Sequence, residues 1–476
     1  MLIGHHCSLT DMRRYDRLYL TAIKNRENGM KKMCLRKIVS VAMLCFAAGN
    51  VHAQDLDREF SEMIKDGASQ EDLIKMMQNI AGQDETIKKA MEMSRKFMAE
   101  QALSNTPLTT AARNGDVAEV ERLIKEGADL NAVDGTFDFT PLMHAAQHNR
   151  ADIAKLLINA GAKVNQKNKN DVSALFVACS SNAPDVAKLL VAAGADMNYV
   201  QKGDGYTPLS LACRDVCFET AKVLVDAGAD VNKRISSVIR KDAKTALMEA
   251  AGSGSPKVVK LLIDAGAEVN ARDADGNTPL LYWGGNFFVD SAVEVGRMLI
   301  AAGANVNAKN KYGTVVLMQA ARAGLSTLMK MLIAAGADVN AKNNDGDTAL
   351  IYASGRRGDP PSTGVKMLID AGANVNAKNN NGWTALHLAA RDNAVSIART
   401  LMKAGANVNA QDKEGETAIM VAGSSIDSGP EVVMEIIAGG ANLNLKSNSD
   451  WTALEYARIY GRGDIAEVIE RALKRK

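Results

Sequence analysis

The sequence predicts an all-α fold: a solenoid of about eleven helix-turn-helix repeats with short β-hairpin fingers, preceded by an N-terminal helical cap. Three observations carry that reading. A hydroxyl or β-branched residue opens a short, small-residue apolar run at Thr106, Thr140, Ser173, Thr207, Thr245, Thr278, Val315, Thr348, Thr384, Thr417 and Thr452. A Gly-Ala pair closes ten of these units, at Gly127, Gly161, Gly194, Gly228, Gly266, Gly303, Gly336, Gly372, Gly405 and Gly440. The chain has 476 residues but only 4% aromatics, which suits many small interfaces built of Ala, Leu, Ile and Val rather than one large core.

The unit from Thr384 to Glu416 shows how one repeat works. Thr384 is a good N-cap, because its hydroxyl can accept a backbone N–H of the first turn. The next position is Ala385 here and proline in four copies (Pro107, Pro141, Pro208, Pro279), where the missing N–H costs nothing. Leu386, Leu388, Ala389 and Ala390 then form a short helix that neighbours can approach closely. A turn at 391–393 leads to a second helix with Val395, Ile397, Ala398, Leu401 and Met402 at helical spacing. Gly405 ends it by tolerating the left-handed C′ position. A polar hairpin follows and ends near Gly415. Such a unit cannot bury its apolar face alone, so copies must stack.

These motifs resemble the ankyrin-repeat family. The family's Thr-Pro-Leu-His start is matched by Thr384-Ala385-Leu386-His387, and its Gly-Ala-Asp-Val-Asn end by Gly228–Asn232 and Gly336–Asn340. The spacing of about 33 residues is the ankyrin period. The resemblance covers 105–476. It implies partner binding through the fingers and through the concave face made by the first helices. It also makes His387 a structural residue.

The first 53 residues have a different character. Met30 to Ala53 reads as a secretory signal peptide: Lys31, Lys32, Arg36 and Lys37 precede an apolar stretch from Ile38 to Ala48 that is too short to span a bilayer. Val51-His52-Ala53 is a small-x-small cleavage site, so cleavage is expected after Ala53. The alternative is a short buried or anchoring helix. Residues 1–29 are polar and out of place before a signal; they read as a non-native extension, with Met30 or Met33 as the true start. The whole chain carries 57 Lys/Arg against 55 Asp/Glu. Nine of those bases and three of those acids lie in 1–53, which leaves 48 against 52, a net charge of −4. The mature chain therefore offers no general electrostatic case for nucleic acid and has no membrane anchor. A monomer is expected.

Three of the six cysteines remain after cleavage: Cys179, Cys213 and Cys217. Cys179 and Cys213 share a repeat position where small residues pack. Cys213 and Cys217 lie across one inter-helix turn and could pair, or could be buried small hydrophobes. Residues 54–104 are helical in pattern, with helices expected near 56–65, 70–80 and 85–103, and form the N-terminal cap. The segment holds six methionines, including Met91 and Met98 seven apart; without His or Cys they read as packing rather than as a copper site.

Catalytic and cofactor motifs are absent. The chain has no G-x-S-x-G elbow, Walker loop, H-E-x-x-H or paired C-x-x-C. His144 and His148 are four apart but lack a third ligand, so no metal or cofactor is assigned. An Asn recurs in ten repeats, from Asn131 to Asn444; its regularity points to a turn role, with the side chain bonding local backbone.

The variable positions are the candidates for binding. The residue before the capping Thr is Phe139, Tyr206, Trp383 and Trp451 in four repeats. It could anchor a partner or pack on the neighbouring finger. Departures from the period add Arg234 and Arg240 in a lengthened finger, Phe287 and Phe288 in the sixth inter-helix turn, and Arg356 and Arg357 in the eighth; Ser424 to Pro430 lengthens the tenth. These insertions could equally be drift in tolerant loops. The expected function is a non-enzymatic, exported protein-binding scaffold, periplasmic or secreted. The alternatives are an effector acting on a host or rival cell, and an enzymatic or metal-handling segment in 54–104.

Overall fold

The computed structural model describes residues 106–135, 138–235, 243–282, 289–355 and 362–474. The chain divides into two units: Met1–Asn105 with Asp134–Thr136, and Thr106–Val133 with Phe137–Lys476. The first lies almost wholly outside the described residues. So do the expected signal segment, the expected cleavage site after Ala53 and the cap expected over 54–104.

The second unit is all helix. The described residues form 22 helices in eleven pairs, one pair per repeat. The first five pairs are α1 (Pro107–Asn114) and α2 (Val117–Lys125), α3 (Pro141–Gln147) and α4 (Ala151–Asn159), α5 (Ala174–Ser180) and α6 (Pro184–Ala192), α7 (Pro208–Arg214) and α8 (Phe218–Asp226), and α9 (Ala246–Gly252) and α10 (Pro256–Asp264). Next come α11 (Pro279–Tyr282) and α12 (Val289–Ala301), α13 (Val316–Ala323) and α14 (Ser326–Ala334), and α15 (Ala349–Ser354) and α16 (Thr363–Asp370). The last three are α17 (Ala385–Arg391) and α18 (Val395–Lys403), α19 (Ala418–Ser424) and α20 (Pro430–Ala438), and α21 (Ala453–Ile459) and α22 (Gly463–Lys474). Each second helix packs on the second helix of the next repeat. First helices do the same, except that the four-residue α11 makes much less contact with α13.

Local chemistry sets these boundaries. Thr140 Oγ1 accepts from Met143 N at 3.2 Å, which satisfies one orphan donor of the first turn. In the fourth repeat Thr207 and Ser210 exchange bonds as a capping box, with Ser210 N donating to Thr207 Oγ1 at 3.1 Å and Thr207 N to Ser210 Oγ at 2.8 Å. Val315 occupies the same N-cap place with no side-chain bond to offer. Small pairs such as Ala389–Ala390 and Ala145–Ala146 are wholly buried where first helices meet, and Leu157, Leu190 and Leu401 are wholly buried on the second helices. At Gly336 the backbone is left-handed, φ 84°, and a Cβ would meet nothing within 4 Å; the dihedral rather than space demands glycine. Gly423 is the opposite case. An added Cβ there would lie 3.2 Å from Ala457 N, so α19 and α21 would have to part by a few tenths of an ångström to take the alanine found at this place in other repeats.

Two expectations are corrected here. The fingers contain no β-ladder among the described residues; the pairing amounts to isolated bridges at Lys167–Ser173 and Gln411–Thr417. Several fingers are instead closed by an Asx turn, as where Asn343 Oδ1 accepts from Asp345 N at 3.0 Å and Asp347 N at 2.8 Å. The Asn column does not bond local backbone either. Asn340 Nδ2 donates to Gly372 O at 3.0 Å and Asn340 Oδ1 accepts from Asn374 N at 2.7 Å, both in the next repeat. Asn307 and Asn376 repeat the arrangement. The local turn is served by the residue two places earlier, as where Asn340 N donates to Asp338 Oδ1 at 2.9 Å. The column is thus a chain of clamps between repeats.

The three cysteines are buried and free. Burial pushes the thiols of Cys179, Cys213 and Cys217 above their ordinary range, so they sit as protonated small hydrophobes. Among the described residues no helix is long and apolar enough to cross a membrane.

Candidate functional site: the finger and first-helix face

Two rows of variable side chains meet along this face. One row is the residue before each capping position. The other is the fifth residue of each first-helix motif, counted from the cap. Stacking fixes both rows in register, because successive fingers bond each other. Asn344 N donates to Tyr312 O at 2.9 Å, Asn380 N to Asp345 O at 2.8 Å, and Lys413 N to Asn381 O at 3.0 Å.

The four expected aromatics stand on this face with unequal freedom. Tyr206 is 4% exposed, and the Arg214 guanidinium lies 4.5 Å over its ring. Phe139 is half-buried and meets His144 edge-on at 5.6 Å. Trp383, also half-buried, stacks on His387 with ring centres 6.1 Å apart and has Arg391 5.6 Å from its ring. Trp451 is exposed. None of these pairings is with the neighbouring finger. Each ring leans on the first helix of its own repeat, because the cap follows the ring directly and the fourth, fifth or eighth residue counted from the cap lies beneath it.

His387 shows how the sequence builds such a support. Its Nδ1 accepts from Thr384 N at 3.2 Å, which leaves Nε2 as the protonated nitrogen, facing Glu416 O of the next repeat at 3.2 Å. Burial lowers its pKa below the ordinary histidine value. The structural role implied by the resemblance therefore acts both within the repeat and across to the next. At the pair once weighed for metal, His144 is buried, while His148 is the C-cap of α3 and its pKa is lowered by burial and by Arg150 and Arg113.

The middle of the face is polar. Lys244 pairs with Glu249 at 3.5 Å and lies 4.6 Å over the Tyr282 ring; Tyr282 OH donates to Asp273 Oδ2 at 2.5 Å. Two repeats on, Asn343 Nδ2 donates to Tyr352 OH at 3.1 Å, and burial raises the Tyr352 pKa, with Asp347 and Asp345 adding to it. The C-terminal end is aromatic. Trp451 meets Tyr456 edge-on at 5.5 Å, and Tyr456 lies parallel to Tyr460 at 6.3 Å. Tyr456 OH donates to Glu416 Oε1 at 2.7 Å; burial pushes its pKa up to about 12.

Arg234 is exposed, and its Nη1 donates to Arg272 O of the next finger at 2.6 Å. Sequence reasoning missed that this is one rung of a column. Arg272 donates to Lys309 O, Lys309 to Lys342 O at 3.2 Å, Lys342 to Lys378 O at 2.8 Å and Lys378 to Gln411 O at 2.6 Å. The signal was available, since each cation stands two residues after a column Asn. Arg240, Phe287, Phe288, Arg356 and Arg357 lie outside the described residues. Among the described residues no group of three or more His, Cys, Asp or Glu could hold a metal ion.

Comparison with known proteins gives short, strong matches. Over 73 residues the chain is 37% identical to the mouse 2-5A-dependent ribonuclease, covering 15% of this chain and 10% of that protein. A putative ankyrin repeat protein of Rickettsia felis is 35% identical over 74 residues, 16% of this chain and 33% of the relative. The ankyrin repeat protein nuc-2 of Neurospora crassa is 34% identical over 71 residues, 15% of this chain and 7% of that one. The chain thus spans a third or less of the length of these relatives, and the ribonuclease activity in the first name is said of that protein. A family model of ankyrin repeats matches residues 73–168, 161–235, 236–310 and 317–412. The first match begins inside the segment expected as a cap, and the tenth and eleventh repeats continue the same architecture beyond the last one. The capped helix pairs, the inter-repeat clamps and a family match over most of the chain lead to one conclusion: this protein belongs to the ankyrin-repeat family, whose repeats mediate protein–protein interaction.

Proposed function

We propose that this chain is an exported, non-enzymatic scaffold that binds a protein partner through its fingers and first helices. The observation that carries the reading is the locking of that face. Asn clamps, finger-to-finger backbone bonds and the cation column hold the loops in place before a partner arrives. Little loop entropy remains to be lost on binding, so modest contacts suffice. The described variable aromatics lie on this face, whereas the outer second helices carry local ion pairs such as Lys260–Asp264 at 2.8 Å. Export is proposed from the sequence of 30–53, with a monomeric mature chain starting at Gln54 in a bacterial periplasm or outside the cell.

In-cell cross-linking and capture with the tagged mature chain tests this function. Wild type should retain a partner that a Phe139→Ala, Trp383→Ala, Trp451→Ala variant loses or holds weakly. Retention undiminished by the variant, together with cross-links that map to the outer helices, would refute it. Fractionation and N-terminal sequencing test export; a product beginning before Met30 and left in the cytoplasm would contradict that part.

A further inference from the structure

We propose that the last repeat carries a docking ledge for a cationic, apolar polypeptide segment: Trp451, Ile459, Tyr460 and Ile426 receive its apolar side chains, and Glu416 receives an arginine or lysine beside them. This rests on the scaffold reading and names the partner's chemistry at one end of the same face.

Exposure identifies the ledge. Ile426 is 90% exposed, Ile459 55%, Tyr460 54% and Trp451 37%. Scattered single exposed apolar residues are ordinary, but a contiguous group calls for an occupant. Hydrogen bonds, and ring contacts relayed through the buried Tyr456, tie this group together. Arg462 donates to Ser425 O, and to Ser428 O at 2.7 Å, holding the 425–428 loop against the turn that carries Ile459 and Tyr460. The ring contacts from Trp451 through Tyr456 to Tyr460 join the finger to that turn. The strip therefore runs from finger to helix to loop, and the insertion in the tenth repeat supplies its far edge.

The ledge is distinct from the face of the last repeat that corresponds to the inter-repeat contact of the others. Where internal repeats place a residue such as His387 or Ala390 against the next repeat, the last places Glu455 and Arg458, both exposed, and Arg458 pairs with Glu470 at 2.7 Å. That face is already polar and solvated, so capping does not account for the apolar strip.

Charge selects the occupant. Of the nearby cations, Lys446 pairs with Asp450 at 2.9 Å and Arg462 with Asp464 at 3.1 Å, and Lys413 is outnumbered in its own finger by Asp412, Glu414 and Glu416. Glu416 has no cationic partner among the described residues; its carboxylate accepts from Tyr456 OH, and Glu414 and Asp412 stand in the same finger. An anionic membrane or a nucleic acid would be repelled here, whereas an arginine could meet both the carboxylate and the exposed rings. Aromatic anchors beside a charge-complementary group are the usual make-up of a hot spot.

The test is to pan a displayed library of random peptides on the full chain, with counter-selection on a full-length Trp451→Ser, Tyr460→Ser variant, then measure synthetic peptides by fluorescence anisotropy. Both substituted side chains are exposed, and matching circular-dichroism melts verify that the variant folds. Enriched peptides should place Arg or Lys beside Leu, Ile or an aromatic. The double variant should weaken them about tenfold or more, and Glu416→Gln should weaken them and flatten their salt dependence. Enrichment of acidic or uncharged peptides, no enrichment over the variant, or equal affinity for both proteins would overturn the proposal. A wild-type dimer abolished by the double variant would also overturn it, by giving the ledge to a second copy of the chain. If the captured cellular partner is held equally by wild type and double variant, the ledge fails and the scaffold reading stands. If wild type captures no partner, both fail.

Discussion

The ninth and eleventh repeats begin almost alike, Trp383-Thr384-Ala385-Leu386 against Trp451-Thr452-Ala453-Leu454, yet the structure treats them differently. In the ninth, the next repeat covers Leu386, His387 and Ala390, and Trp383 is closed in by His387 and Arg391. In the eleventh, no further repeat covers these positions among the described residues. Glu455 and Arg458 take the His and Ala places, Leu454 is only half-buried, and Trp451 keeps an open face. A repeat position thus has no fixed role. Whether it packs or binds depends on what the following repeat puts on top of it.

That contrast can be broken by substitution, and the largest effect belongs to the core. Leu386→Ala should cost about 2–5 kcal/mol, read as a drop in urea midpoint, because the side chain is 1% exposed between two repeats. Leu454→Ala should cost clearly less. Equal losses would mean that the end repeat is as enclosed as the ninth.

The clamps come next. Asn376→Ala removes bonds to Gly405 O at 3.1 Å and Asn407 N at 2.7 Å and should cost about 1–2 kcal/mol. Asn444→Ala should be nearly silent, since no Gly-Ala repeat end follows it. A cost at Asn444 matching that at Asn376 would restore a local turn role for the column.

A strained turn gives a gain of similar size. At the inter-helix turn the left-handed residue is Asn149, Asn182, Asn393 or a glycine, but in the fourth repeat it is Val216, at φ 58°. A β-branched residue is disfavoured there, so Val216→Asn should stabilise by about 1 kcal/mol. A raised thermal midpoint checks it; a lowered one would show that Val216 packs usefully.

The smallest effect is the pH dependence that His387 contributes. His387 is held neutral, its folded pKa below the unfolded value of about 6.5. Its contribution is fully present above that pH and is lost as pH falls through the lowered folded value. The stability difference between wild type and His387→Gln should therefore shrink as the solution is acidified from neutrality. A difference that stays flat or widens would count against the neutral tautomer.

Much of this was legible in the sequence. Each of the described first-helix caps from Thr106 to Thr452 stands where the repeat reading placed a start, because N-cap chemistry and the Gly-Ala stop are both local. The misreadings were non-local. Asn340 has polar backbone two residues away and also in the next repeat, and spacing alone does not distinguish them; stacking geometry sends the side chain outward. Tyr206, Trp383 and Trp451 look equivalent in sequence. Their exposure depends on whether an arginine eight residues further on folds over the ring, as Arg214 and Arg391 do, while Ile459 stands there in the last repeat. The ledge was visible only in part, since Ile426 and Tyr460 are far apart in sequence and are brought together by Arg462.

The central claim is that the partner is met by the finger and first-helix face. Hydrogen exchange on the full mature chain, with and without its captured partner, tests it most directly. Added protection should fall on the fingers and first helices, at 383–391 and 451–460, and leave 395–403 of the outer layer unchanged. Protection confined to the outer second helices would contradict it.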